Sequence, residues 1–68
     1  EVHREWCELV FASALSGLRH NERARRLAQL VAVCDVYTWK LLRVQSGLTR
    51  RQTELALVEL VNPLIQGA

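Results

Sequence analysis

Methionine is absent from the 68 residues, proline occurs once, and the three glycines stand apart from one another. Isolated glycines make no phosphate-binding loop, which needs them clustered so that several backbone N–H groups can converge on one anion. Two cysteines, Cys7 and Cys34, are too few for a disulfide framework. Both lie in apolar helical stretches and read as small buried hydrophobes, with a bridge or a reactive thiol as the alternative. Long apolar runs are missing as well. The nearest, residues 27–36, is interrupted by Gln29 and Asp35 and falls short of the ~20 residues of a membrane span. With no signal peptide visible, the expectation is a soluble cytoplasmic protein with no membrane partner. Nothing alternates at period two between turn pairs, so strands are not expected. The lack of Met, even at position 1, fits a segment of a longer chain or a cleaved precursor.

Catalytic groupings are equally scarce. His3 and His20 occupy polar contexts near segment ends, with no Glu or Cys at metal-ligand spacing. Ser13 and Ser16 have no local base. The reading is therefore no catalytic residue, no metal, no cofactor, and no enzyme.

What is present in abundance is apolar surface. Half the residues are apolar, while the net charge is only +2, too mild for the dense basic footprint of a nucleic-acid binder. A chain this short buries a marginal core by itself, so the excess points to a partner subunit or to further chain. Helical periodicity divides the sequence into three segments, at about 2–16, 22–46 and 49–66. In the first, Trp6, Leu9, Val10 and Ala14 lie beside Cys7, Phe11, Leu15 and Leu18 in one broad stripe. Gly17 is its expected left-handed stop. Asn21 is the expected N-cap of the second, with Glu22 at the positive end of the helix dipole. From Leu27 to Leu42 this second helix carries only Asp35 and Lys40 as charges, so it should be covered on more than one side. Gly47 ends it. Thr49 and Gln52 then form a capping box for the third helix, whose Leu57, Leu60, Val61, Leu64 and Ile65 make one face and Leu55, Val58 and Asn62 a second. Pro63 should kink or end it.

Asp35 is the least expected residue, a carboxylate in mid-helix between Cys34 and Val36. Left without a partner in an apolar setting, it would cost several kcal/mol in order of magnitude. Tyr37, Thr38, the Trp39 indole or an Arg of another helix could satisfy it. A polar contact that lines a ligand cavity or fixes the register of a subunit interface is the sharper reading; in the first case Asp35, Tyr37, Trp39, Trp6 and Phe11 form an effector pocket or buried polar site. The basic group Arg19, Arg23, Arg25 and Arg26 reads as a solvated helix start that seeks acidic partners, on Glu22 or on another segment. Residues 41–61 also have the outline of a helix-turn-helix, with Gly47 in the turn and Thr49, Arg50 and Arg51 opening the second helix. Beyond Glu54, however, that helix is almost wholly apolar, which leaves little to lie in a groove.

The run Asp35-Val36-Tyr37-Thr38-Trp39-Lys40-Leu41-Leu42-Arg43, with the residues from Arg26 before it and Gly47-Leu48-Thr49-Arg50-Arg51-Gln52-Thr53-Glu54 after it, resembles the C-terminal regulatory domain of TetR-family transcriptional regulators. The stretch from His3 to Phe11 looks like the preceding helix of that domain, so the resemblance covers essentially the whole chain. It implies an all-α homodimer in which the last two helices pair with their copies in a four-helix bundle. It also implies a small-molecule effector, and operator DNA bound through an N-terminal domain that these residues do not include. Carried onto this sequence, Leu57, Leu60, Val61 and Leu64 become dimer-interface positions, with Trp39 and Leu42 beside them. The alternative is a small helical interaction module, with the helix-turn-helix outline at 41–61 contacting DNA.

Overall fold

The computed structural model describes residues 2–66, and among these there is helix and turn but no strand. The expected all-α class holds. Five α-helices follow one another: α1 (Val2–Val10), α2 (Ala12–Leu15), α3 (His20–Val33), α4 (Val36–Lys40) and α5 (Arg50–Ile65). A π-helical segment, Leu41–Gln45, continues directly from α4. The first two of the three expected segments are thus each divided, and the third is whole.

The α1–α2 division is slight. Phe11 leaves helical geometry, yet its N–H still reaches Cys7 O at 2.9 Å and its carbonyl still accepts from Leu15 at 3.1 Å. The turn after α2 tightens through Ser16, whose N–H and hydroxyl both donate to Ser13 O, and through Leu18 N–H to Leu15 O. This tightening ends the helix without a left-handed residue, so the expectation for Gly17 is corrected: among the described residues only Gly47 has a positive φ, at 70°. The next helix starts one residue early. Arg19, extended and without a side-chain cap, is the N-cap of α3, and Asn21 lies inside the first turn. Glu22 does occupy that turn as expected.

The larger correction falls at Asp35. It does not sit in mid-helix; it is the N-cap of α4, extended at φ −73° and ψ 146°, and its carboxylate accepts from Tyr37 N–H at 2.7 Å. Asp prefers this role because its short side chain competes with the backbone for N–H groups. The break frees carbonyls at the end of α3, and side chains take them up. His3 Nε2 donates to Val31 O at 3.1 Å, and the Thr38 hydroxyl donates to Ala32 O at 2.5 Å. Beyond α4 the ladder widens, with Ser46 N–H reaching Leu41 O at 2.9 Å. Gly47 then reverses the chain in the left-handed region, and Arg43 secures the turn by donating to Leu48 O at 2.8 Å.

The start of α5 forms as expected on its hydroxyl side: Thr49 Oγ1 accepts from Gln52 N–H at 3.1 Å. Thr53, fully buried, donates its own hydroxyl to Thr49 O at 2.8 Å. The expected end at Pro63 is corrected, because the helix runs on to Ile65. Proline removes one N–H from the ladder, and downstream the Leu64 carbonyl, orphaned at the helix end, accepts from Arg26 of α3 at 2.6 Å.

α3 is the central element, lying against α1 on one side and α5 on the other. The core is small. Cys7, Leu15, Leu27 and Leu30 are its buried apolar residues, with Phe11, Leu18, Val31, Cys34 and Leu64 packed around them. Arg23 of α3 pairs with Glu8 of α1 at 3.7 Å, which gives the basic cluster the acidic partner expected on another segment. No helix of the described residues is long and apolar enough to cross a membrane.

Candidate functional site

The body is a slab measuring 37 × 27 × 17 Å, with a radius of gyration of 12.7 Å. A compact chain of this length would have a radius near ~11 Å. Its accessible surface, 5209 Å², exceeds the roughly 4,400 Å² expected of a folded monomer of this mass. The extra area, on the order of 800 Å², follows from the flat body and its small core. Much of the exposed area is apolar. Val36, Tyr37, Leu41 and Val44 of α4 and the π segment are exposed, as are Leu55, Val58, Leu60 and Ile65 of α5. A second set, Val2, Trp6, Leu9 and Val10, lines the outer side of α1. Burial explains the pattern: α3 packs against both α1 and α5, whereas the arm formed by α4 and the π segment meets α5 through the π segment and α3 through the Thr38 hydroxyl on Ala32 O.

Of the expected interface positions, Leu60 is exposed, at 45%. Leu57, Val61, Leu64, Trp39 and Leu42 are half-buried within the protomer, and Leu64 packs on the core. The more open face of α5 is the second one read from the sequence, that of Leu55 and Val58.

The five residues assigned to an effector pocket are distributed over two regions. Trp6 stands with its ring perpendicular to that of Phe11 and stacked on His3, each at a centroid separation of 6.4 Å. Asp35 caps α4, Tyr37 is exposed, and Trp39 is half-buried. A cleft lies elsewhere, between Arg4 of α1 and the face of α3. It holds about 340 Å³ and is lined by Arg4, Ala24, Leu27, Ala28, Val31 and Ala32, at the small end of ligand-sized cavities. The sequence signal for it is the spacing of Ala24, Ala28 and Ala32, four residues apart on one helix face, where short side chains leave a furrow. Among the described residues no cluster of three or more His, Cys, Asp or Glu could hold a metal ion.

Comparison of the chain with protein-family models, with curated proteins and with solved structures finds no match.

Proposed function

We propose that the chain is the dimerisation and effector-sensing part of a TetR-like transcriptional regulator acting in the cytoplasm, joined in the whole protein to a separate operator-binding domain. The observation that carries this is the thin body with its apolar arm and α5 face open to solvent. An area of that size and apolar character is stabilised by association, since the favourable term grows with apolar surface removed from water. The occupant is a second copy, with α4, the π segment and α5 meeting their equivalents in a four-helix arrangement. The α1–α3 cleft has the dimensions for a small apolar effector. Bound there, an effector would press on α3, whose last turn is tied to α1 by His3 and to the arm by Thr38.

The deciding experiment is sedimentation of the full-length protein carrying Leu60→Arg or Val58→Arg. Both side chains face solvent in the protomer, so the fold tolerates the charge while a dimer does not. Each variant should sediment as a monomer with an unchanged helical spectrum, and an unchanged dimer mass in both would refute the reading.

A second reading has one observation in its favour. Gly47 turns the chain in the left-handed region, as the turn of a helix-turn-helix would, and Arg50, Arg51 and Gln52 stand exposed in the first turn of α5. Direct binding to DNA through these residues predicts retention that weakens steeply with salt and is lost in Arg50→Ala/Arg51→Ala. The exposed Leu55 and Val58 just beyond them suit a protein partner better than a groove.

A further inference from the structure

The cleft between Arg4 and α3 is apolar on one wall and cationic on the other. Among the described residues that line it, Arg4 alone is charged, and Ala24, Leu27, Ala28, Val31 and Ala32 supply aliphatic side chains. The last carbonyls of a helix have no partner within it and would offer acceptors to a ligand. Here two of them are engaged: Val31 O accepts from His3 and Ala32 O from Thr38. The α3 wall therefore presents apolar surface, and the polar handle is the Arg4 guanidinium, a donor with no acceptor. The neighbouring carboxylates are engaged or lie off the cleft. Glu8, one turn beyond Arg4, pairs with Arg23 at 3.7 Å, and Asp35 accepts from the Tyr37 N–H. Glu5, adjoining Arg4, does not share its helix face, and Glu22, two residues before Ala24, lies on the far side of α3. Arg25 is exposed and stands three residues before Ala28, so it borders the same face.

We propose that the cleft takes an amphipathic monocarboxylate, with its apolar chain along the α3 wall and its carboxylate on Arg4. This inference rests on the effector-sensing reading and gives that effector a chemical class. A volume of about 340 Å³, at ~30 Å³ for each water-sized group, holds roughly ten heavy atoms, the size of octanoate. The planar guanidinium fork of arginine matches the two oxygens of a carboxylate, and Arg25 adds positive charge beside it. Most of the affinity comes from the apolar chain. Arg4 is exposed, so water screens the ion pair, and its share is about fivefold in affinity.

The test is calorimetric titration of the full-length protein with octanoate and with octan-1-ol, its neutral counterpart of equal chain length. In Arg4→Gln the ratio of octanoate to octanol affinity should fall by about fivefold, a comparison that isolates the charge from the chain. Both ligands should weaken by about tenfold or more in Ala28→Leu, whose larger side chain occupies the cleft. Arg4 and Ala28 are exposed, so each variant should keep the native helical spectrum. An unchanged ratio in Arg4→Gln, with both ligands weakened by Ala28→Leu, overturns the carboxylate class and leaves the cleft as the effector site. Octanoate binding that is unchanged in Ala28→Leu overturns the proposal, because the ligand then lies elsewhere. Binding of neither ligand overturns it together with the effector role of the cleft, while dimerisation is decided separately by the sedimentation of Leu60→Arg.

Discussion

The α1–α3 seam and the α4 arm are both built from apolar sequence, and they meet opposite fates. Cys7, Leu27 and Leu30 are buried where α1 and α3 cross, whereas no residue from Val36 to Gln45 is buried in the protomer. The seam is formed where two helices pack on each other; the arm touches α5 through the π segment and α3 through Thr38, and leaves Val36, Tyr37, Leu41 and Val44 open to water. Apolar composition alone therefore does not mark a core. Leu30→Ala breaks the seam most severely. With Leu30 at 0% exposure, the lost transfer energy and the cavity left behind should together cost about 3 kcal/mol, read as a lower urea midpoint with unchanged slope. A loss below about 1 kcal/mol would mean that the seam is not the centre of stability.

The ends of the arm offer smaller tests. Gly47 sits at φ 70° with nothing within 4 Å of a Cβ placed on it, so Gly47→Ala meets no clash and only backbone strain remains. It should cost about 1.5 kcal/mol, with Gly47→Asn largely restoring stability because Asn tolerates the left-handed region. At the other end, Asp35→Ala removes the cap from α4 and should cost about 1 kcal/mol. Amide exchange locates this loss: the Tyr37 N–H, held by the Asp35 carboxylate, should lose protection while Leu30 in the seam keeps it. Equal loss in both places would join arm and seam into one cooperative unit.

The seam was largely legible in the sequence. The stripe through Cys7, Leu15, Leu27 and Leu30 is helical spacing read directly, and Thr49 and Gly47 announced the turn into α5 by their chemistry. The breaks were not legible, because apolar periodicity continues across Cys34 and Asp35 almost in phase. The signal was Asp35 itself, a cap former followed by the β-branched Val36 and Thr38, whose helix preference is weak. Gly17 misled for a different reason: Ser16 closes that turn by its own bonds, so no left-handed residue is needed. The early end offered as one outcome at Pro63 does not occur, because proline removes one hydrogen bond from a helix that is anchored by Arg26 beyond it. The aromatics expected to surround an effector lie on separate helices, and which residues share a cavity depends on the α1–α3 crossing, a tertiary property that spacing does not encode. The cleft instead follows the alanines of α3.

Val36 gives the smallest expected effect and the sharpest reading of the comparison. At 76% exposure it has almost no contact to lose within the protomer, so Val36→Ala should change protomer stability by less than about 0.5 kcal/mol. The same substitution in the assembled protein removes two methyl groups from whatever covers the arm, and each buried methyl group is worth about 0.8 kcal/mol. Stability measured by urea unfolding at two protein concentrations, on either side of dissociation, separates the cases. If a second copy covers the arm, the cost should emerge only at the higher concentration. A cost that is small and equal at both concentrations would leave the arm uncovered and move the interface to the face of α5 at Leu55 and Val58. A cost that is large and equal at both would place the cover within the same full-length chain.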